Sequence, residues 1–207
     1  MHCQLIVLHI LLFVAGCESQ SWASFPSASG CTTVKATIVV DKGEGGSVAN
    51  VVFGANAADG IHCKGSCNIK NVWWTDVGED AATFRGGAKS ASDKTFQHNG
   101  GGSVSIKNFQ CQDCGKLCRA CGNCGTQYKR SASVGNVKMI NPKTAVVIIN
   151  SNYGDTATIK KFTIVGGKGK LVCEHSQGNN SGKEPTMLGN GPNGKNCMYT
   201  DSDVIYQ

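Results

Sequence analysis

The sequence is poor in proline, in aromatic residues and in charge. Its 207 residues include 4 Pro, 7% aromatic residues and 16% charged residues. So little proline argues against a disordered Pro-rich chain, and so few charged residues argue against long surface helices. The aromatic residues do not alternate with Lys or Arg, which weakens a nucleic-acid interpretation. Beyond the N-terminal residues no segment is apolar enough to cross a bilayer. We therefore expect no nucleic-acid partner and no membrane association of the mature chain.

Glycine and positive charge are what the sequence has in quantity. It contains 27 Gly, and its net charge is +6 with a pI near 8.7. A basic surface favours an anionic partner, although the charge alone does not choose between polyuronate, nucleic acid and anionic lipid. The length is sufficient for one domain with a substantial core.

The first residues resemble a secretory leader. The apolar run from Leu5 to Ala15 has signal-peptide length and is too short to span a bilayer. Small residues favour cleavage after Ser19 or Ala23. We therefore divide the chain into a signal peptide, 1–19, and one domain, 20–207, and expect secretion. No Lys or Arg precedes the apolar run, which leaves an uncleaved anchor open. Val14-Ala15-Gly16-Cys17 also allows a bacterial lipoprotein site.

The cysteines support export. Twelve are present, and ten remain behind the leader. An even number in a secreted chain predicts disulfides in an oxidising compartment. The dense run from Cys111 to Cys124 also has spacing suited to zinc thiolates, so a zinc site is the alternative. Asn179-Asn180-Ser181 is a lone N-glycosylation sequon, which has meaning only in a eukaryotic host.

A short pattern recurs along the chain: a small or β-branched residue, then Asn or Lys, then an apolar pair. Successive copies are 21, 37, 28 and 25 residues apart, counted between Asn50, Asn71, Asn108, Asn136 and Lys161. Short strands, Gly/Asn turns and a repeat in the twenties predict an all-β fold, a single-domain right-handed parallel β-helix. A β-sandwich also uses many short strands and is the competing architecture. We expect the tail after Lys183 to be loop-like and to wrap one end of the stack.

Three acidic residues and a lysine are grouped in Gly-rich stretches between the short strands. Asp59 lies in Ala58-Asp59-Gly60-Ile61-His62-Cys63, and Glu79 and Asp80 follow Trp74-Thr75-Asp76-Val77-Gly78. Lys94 lies in Asp93-Lys94-Thr95-Phe96-Gln97-His98-Asn99-Gly100. Carboxylates without excess His suit a hard cation such as Ca²⁺. A lysine near such an ion loses its proton more easily and can then act as a base, which points to proton abstraction from an acidic substrate.

These stretches, together with Cys118-Arg119-Ala120-Cys121-Gly122-Asn123-Cys124, resemble the pectate lyases of polysaccharide lyase family 3. Such enzymes are secreted by bacteria, fungi and plant-parasitic nematodes. The resemblance runs from about Ala36 to Gln207, with the four blocks in the family's order. It implies a parallel β-helix with Ca²⁺ as cofactor. It also implies a secreted enzyme, which we expect to be a monomer, that cleaves α-1,4-linked polygalacturonate of plant cell walls by β-elimination.

The resemblance also implies roles for individual residues. Asp59, Glu79 and Asp80 match the calcium-binding acids, and Lys94 matches the candidate base. Lys116 and Arg119 match basic residues that bind substrate and take part in catalysis, and Arg85 falls where the family has a basic residue near the cleft. Whether Lys94 or Arg119 is the base stays open. The disulfide pairing cannot be carried over, because the Cys-rich run is not uniform across the family.

Two other functions compete with elimination. The chain would be a carbohydrate-binding or host-interaction β-helix if it had lost catalysis, although the joint presence of the acids, Lys94 and Arg119 argues against loss. Hydrolysis of polygalacturonate needs a proton-donating acid and usually a carboxylate base. Here lysine and arginine accompany the acids, which favours elimination. We interpret His62 and His98 as structural residues rather than ligands.

Overall fold

The computed structural model describes residues 32–34, 38–40, 46–53, 60–64, 67–74, 86–89, 91, 93–167 and 169–207. In this part of the chain the helical segments are two three-residue 3₁₀ turns, Ser151–Tyr153 and Asp201–Asp203, and no helix is long and apolar enough to cross a bilayer. The strands, β1 to β16 in chain order, are Thr32–Val34, Ile38–Val40, Gly46–Phe53, Ile61–Cys63, Cys67–Trp74, Gly86–Lys89, Lys94–His98, Gly102–Gln112, Lys116–Ala120, Arg130–Ile140, Val147–Asn150, Thr156–Val165, Cys173–Gln177, Thr186–Asn190, Cys197–Met198 and Val204–Tyr206.

The strands stack in parallel as the chain coils. One sheet, here the long sheet, has the order β1-β3-β5-β6-β8-β10-β12, with β15 and β16 paired to β12. A second, the short sheet, has the order β7-β9-β11-β13-β14, and β2 pairs with β4. Among the described strands only β13 and β14 pair in antiparallel fashion. Because successive coils add parallel strands to both sheets, the fold is the predicted parallel β-helix and not a β-sandwich, whose sheets are antiparallel.

The sequence repeat is the bend of each coil. Asn50, Asn108, Asn136 and Lys161 all have left-handed backbone conformations, with φ between 52° and 57°. Asn tolerates this conformation better than most residues because its short side chain forms local hydrogen bonds. The bends stack in register, and Asn136 Nδ2 donates to Asn108 Oδ1 at 2.7 Å. The bend directs the apolar residues on both of its sides into the core.

The 37-residue interval in the repeat contains two coils. β6 lies between β5 and β8 in the long sheet, where Gly86 pairs with Val72 on one side and with Phe109 on the other. Its sequence, Gly-Gly-Ala-Lys, has neither the Asn nor the apolar pair of the repeat. The sequence repeat therefore could not predict the coil that contains β6.

The core consists of inward-facing residues on either side of the bend. In β5, β8, β10 and β12 these are eight side chains, each no more than 4% exposed: Ile69, Val72, Ile106, Phe109, Val134, Val137, Ile159 and Phe162. Burial of each such side chain contributes roughly 1.5–3 kcal/mol. Phe96 of the short sheet meets Phe109 with ring centroids 5.0 Å apart, which joins the two sheets. This packed core holds the outward side chains of each coil in fixed register.

The tail after Lys183 closes the end of the stack with strands rather than with loop alone. β14 pairs with β13, and β15 and β16 pair with successive parts of β12. A disulfide between Cys173 and Cys197 links β13 to β15. The expectation of a loop-like tail was wrong, because the outer edge of the last coil has backbone groups that need hydrogen-bond partners.

Disulfides account for most of the described cysteines. Besides Cys173–Cys197, the bridges are Cys63–Cys67, Cys111–Cys114 and Cys121–Cys124. Cys118 is a free thiol, and its complete burial raises its pKa to about 12. Since four cysteines of the dense run are in disulfides and the fifth is a buried thiol, the disulfide interpretation is confirmed there and the zinc alternative is wrong. Cys31 lies outside the described residues.

Lys161 occupies a bend position that suits Asn better. A residue other than Gly, Asn or Asp in this conformation costs roughly 1–2 kcal/mol. We therefore expect Lys161→Asn to raise the free energy of unfolding by about 0.5–1 kcal/mol, measured by urea denaturation. Lys138→Asn is the control, since Lys138 lies in β10 without a positive φ and Asn is unfavourable in a strand. A loss of stability in both variants would contradict this account of the bend.

Candidate active site

Three of the predicted site residues lie on neighbouring strands of the short sheet. Lys94 opens β7 and Lys116 opens β9, and the two are register partners. Arg119, further along β9, is the register partner of Gln97. Adjacent strands are about 4.8 Å apart, so these side chains form one cationic strip. Asp59, Glu79, Asp80 and Arg85 lie outside the described residues, and their roles remain predictions.

An irregularity in β9 brings Lys116 and Arg119 to the same face. Residues three apart in a regular strand point to opposite faces. Here the N–H groups of both Leu117 and Cys118 donate to the carbonyl of Val146, at 2.8 and 3.1 Å. Leu117 and Cys118 are both buried, whereas Lys116 and Arg119 are partly exposed. The local distortion resembles a β-bulge, which re-aims side chains in this way.

Asp93 joins the two lysines. Its carboxylate accepts hydrogen bonds from the Nζ atoms of both Lys94 and Lys116, one to each oxygen. The two ammonium side chains are 20% and 17% exposed, and the shared carboxylate is 43% exposed. The sequence alone assigns no role to Asp93, although its position beside Lys94 is a signal. Asp93 holds two cations close together that would otherwise repel each other.

The charges around Asp93 control its titration. Partial burial acts to raise its pKa, but the hydrogen bonds and positive charges of Lys116 and Lys94 outweigh it and hold the pKa below its ordinary value. A carboxyl whose pKa is lowered by folding stabilises the protein above the pKa of the unfolded chain, about 3.9. That contribution is lost as the pH falls through the lower folded value.

We expect Asp93→Asn to lower the free energy of unfolding at pH 7 by less than about 1 kcal/mol, because the carboxylate is well exposed to solvent. The difference from wild type should begin to shrink near pH 4, the pKa of the unfolded carboxyl, and should vanish as the pH falls through the lower pKa of the folded one. Urea denaturation of both proteins at several pH values measures this difference in the free energy of unfolding. Asp201→Asn is the control, since this exposed residue forms no ion pair among the described residues. A stability difference that is the same at pH 3 and pH 7 would contradict the electrostatic account.

Arg119 faces a second carboxylate from the loop before β14. Its Nη2 lies 3.4 Å from Glu184 Oε1, with Arg119 14% and Glu184 83% exposed. At this length and exposure the pair contributes little to stability. Gln97, beside Arg119, donates from Nε2 to Asn99 Oδ1 at 3.0 Å, while its buried Oε1 has no partner among the described residues. Neither Gln97 nor Glu184 was predicted, because both depend on contacts distant in sequence or on the register of the coils.

A buried arginine fixes the turn that follows β7. Arg130, 2% exposed, donates from Nε to the carbonyl of Gly100 at 2.9 Å and from Nη2 to that of Asn99 at 2.7 Å. Its backbone N–H donates to the Asp155 carboxylate at 2.8 Å. Burial, and then the charge of Arg130, lower the pKa of the nearby His98. The end of the strand that carries Lys94 is therefore rigidly attached to β10.

The strip is suited to binding carboxylates. It presents two ammonium groups and a guanidinium. Within the protein these cations pair with two carboxylates, those of Asp93 and Glu184. Arginine can hold a carboxylate through two parallel hydrogen bonds. Cations on successive strands suit a polymer that carries a carboxylate on each unit.

The acids predicted to hold a metal lie outside the described residues. No group of three or more His, Cys, Asp or Glu within the described ranges could hold an ion. Their chemistry fits Ca²⁺, because Asp59, Glu79 and Asp80 offer three carboxylates and neither a thiolate nor an imidazole.

Comparison with known proteins identifies relatives over most of the chain. The family model described as "Pectate lyase" matches residues 27–183. "Probable pectate lyase E" of Aspergillus clavatus is 48% identical over 168 residues, which are 75% of this chain and 64% of that protein. "Probable pectate lyase D" of Emericella nidulans is 43% identical over 168 residues, 76% of this chain and 63% of that protein. The match thus spans less than two thirds of the length of these relatives.

Solved structures show the same architecture. Pectate lyase PelI from Erwinia chrysanthemi is 26% identical with a TM-score of 0.67, over 86% of this chain and 70% of that chain. Pectate lyase Pel3 from Pectobacterium carotovorum is 26% identical with a TM-score of 0.65, over 86% and 66% of the two chains. A structure of PelI in complex with tetragalacturonic acid is 23% identical with a TM-score of 0.63. The match covers 84% of this chain and 71% of that chain, and it supports the fold.

Proposed function

Because the chain belongs to the pectate lyase family, we propose that it is a secreted calcium-dependent pectate lyase. It cleaves α-1,4-linked polygalacturonate of plant cell walls by β-elimination. The observation that carries this proposal is the strip of Lys94, Lys116 and Arg119 on neighbouring strands, whose two lysines already share a carboxylate. Leader-like residues before the domain and four disulfides support secretion.

Substrate binding comes first. The Arg119 guanidinium holds one galacturonate carboxylate, and Lys116, at the start of the same strand, binds the carboxylate of another unit of the polymer. Both side chains are mostly buried, so little conformational freedom is lost when the polymer binds. Glu184, which is exposed, moves away from Arg119 as the substrate carboxylate takes its place. We propose that Arg85 is a further cation that binds the polymer.

Proton abstraction follows. Neutral Lys94 takes the proton from C5 of a galacturonate, which is weakly acidic because the resulting negative charge spreads onto the adjacent carboxylate. Arg119 stabilises that charge as it develops. The C4–C5 double bond then forms as the bond from C4 to its oxygen breaks, the departing oxygen takes a proton from solvent, and Lys94 returns its proton to solvent. The product has an unsaturated sugar end with no water added across the cleaved bond.

The predicted acids would add a bound cation to this site. Asp59, Glu79 and Asp80 would hold Ca²⁺, which supplies positive charge against the developing enolate-like anion when it is bound. The remaining steps belong to Lys94, Lys116 and Arg119. We propose that one chain carries the complete site and that the enzyme is a monomer.

The dependence on free carboxylates tests the proposal. The purified protein should release unsaturated products from unesterified polygalacturonate and should be nearly inactive on the fully methyl-esterified polymer, because esters give Arg119 and Lys116 no charge to bind. Rates are compared at equal sugar concentration. Equal rates on both polymers would overturn carboxylate recognition by this strip.

A further inference from the structure

The loop between β13 and β14 carries an asparagine that the proposed reaction does not use. Asn179-Asn180-Ser181 follows β13, and among residues 180–184 every side chain is exposed. Asn179 itself is partly exposed. The sequence Asn-x-Ser is the acceptor for N-linked oligosaccharides, and such sites lie on surface loops of secreted proteins.

The sequon forms a compact local turn. Asn179 Oδ1 accepts a hydrogen bond from the backbone N–H of Ser181 at 3.0 Å and another from its hydroxyl, also at 3.0 Å. Both bonds join residues two apart, so the turn can form before the protein folds. The serine hydroxyl is therefore directed at the carboxamide whose nitrogen would accept the sugar.

The acceptor nitrogen makes a single hydrogen bond to the residues that the structure describes. Asn179 Nδ2 donates one hydrogen bond, to the carbonyl of Lys183 at 2.8 Å. A carboxamide nitrogen has two hydrogens, and glycosylation replaces one of them. The loop is anchored through its backbone, from Asn179 N–H to the carbonyl of Gly122 at 2.7 Å and from Gln127 Nε2 to the carbonyl of Asn179 at 2.7 Å. These anchors do not involve the nitrogen that would carry the sugar.

We propose that Asn179 carries an N-linked oligosaccharide when the chain passes through a eukaryotic secretory pathway. The donor is an oligosaccharide bound to a lipid diphosphate. Asn179 Nδ2 forms a bond to the anomeric carbon, the bond from that carbon to the diphosphate oxygen breaks, and the amide proton leaves with the lipid diphosphate. The inference depends on the secretion proposed above and not on the lyase reaction.

A sugar on Asn179 would lie at the rim of the candidate active site. The same loop continues to Glu184, which faces Arg119. It is also attached to the segment closed by the Cys121–Cys124 disulfide, since Asn123 Nδ2 donates to the carbonyl of Gly182 at 3.4 Å. A glycan on Asn179 would cover the exposed peptide bond after Lys183, where trypsin cleaves.

Secretion of the full chain from a yeast host tests the proposal. Treatment with peptide N-glycosidase should lower the mass of the secreted wild-type protein by one oligosaccharide and convert Asn179 to Asp. Asn179→Gln and Ser181→Ala should show no shift, whereas Asn180→Gln, which keeps the sequon, should shift as wild type does. Trypsin should also cut after Lys183 several-fold more slowly in the glycosylated protein than in Asn179→Gln.

Folded, secreted wild-type protein without a glycan would overturn the proposal, as would a shift that persists in Asn179→Gln. The elimination assay is a separate readout of the same samples. A glycosylated but inactive protein would argue against the lyase function and leave the assignment of Asn179 intact.

Discussion

Replacing Lys94 by alanine should lower the rate of elimination about 10²–10⁴-fold, the usual contribution of a general base. The side chain is held by Asp93 at the start of β7, away from the packed core, so the fold should survive the change. The measurement is kcat on unesterified polygalacturonate. Because a lysine accepts a proton only in its neutral form, wild-type activity should keep rising into the alkaline range.

Two further variants make this result specific. Lys94→Arg should not restore activity, since a guanidinium stays protonated at any working pH. Lys195→Ala, at an exposed position before β15, which pairs with β12 of the long sheet, should behave as wild type. If Lys94→Ala keeps near-normal turnover while Arg119→Lys is inactive, Arg119 is the base and the assignment of Lys94 is wrong.

Removing calcium should have an equally large effect. Excess chelator should abolish formation of unsaturated product, and calcium added beyond the chelator should restore it. The physical reason is that Ca²⁺ held by the predicted acids would supply positive charge against the negative charge that develops on the substrate. Full activity in excess chelator would remove the metal from the proposal.

Variants of the predicted ligands separate a role in metal binding from a role in folding. Glu79→Ala and Asp80→Ala should weaken calcium binding in titration calorimetry while the free energy of unfolding without metal stays near that of wild type. Asp201→Ala is the control, since this acid belongs to a 3₁₀ turn near the C-terminus. Calcium binding of wild-type strength in both ligand variants would contradict the assignment.

The coil repeat could be predicted because its cause is local. A left-handed bend favours Asn, and the flanking residues must be apolar to fill the core, so Asn50, Asn108 and Asn136 show the stacking in the sequence itself. β6 has Gly where the other coils have apolar residues, and its place follows only from its pairing with β5 and β8. The strands of the tail were missed for the same reason, since they form where the last coil offers an edge.

The sequence predicted which basic residues belong to the candidate site, but not how they are arranged or which carboxylates they contact. Resemblance to the family pointed to Lys94, Lys116 and Arg119, and the pairing of β7 with β9 brings them together. The distortion at Leu117 that puts Lys116 and Arg119 on one face depends on a carbonyl of the next coil. Glu184 reaches Arg119 across 65 residues of sequence. Such contacts depend on how neighbouring coils align with one another. The spacing of residues along one strand does not reveal that alignment.

The ratio of unsaturated ends to reducing ends tests the central claim most directly. The protein is incubated with unesterified polygalacturonate and calcium, unsaturated ends are counted by ultraviolet absorbance, and reducing ends are counted chemically in the same sample. Elimination creates one unsaturated end with each new reducing end, so the two counts should rise together. Reducing ends without unsaturated ends would show hydrolysis, and binding of the polymer without either would show a carbohydrate-binding protein; both results would contradict the proposed lyase.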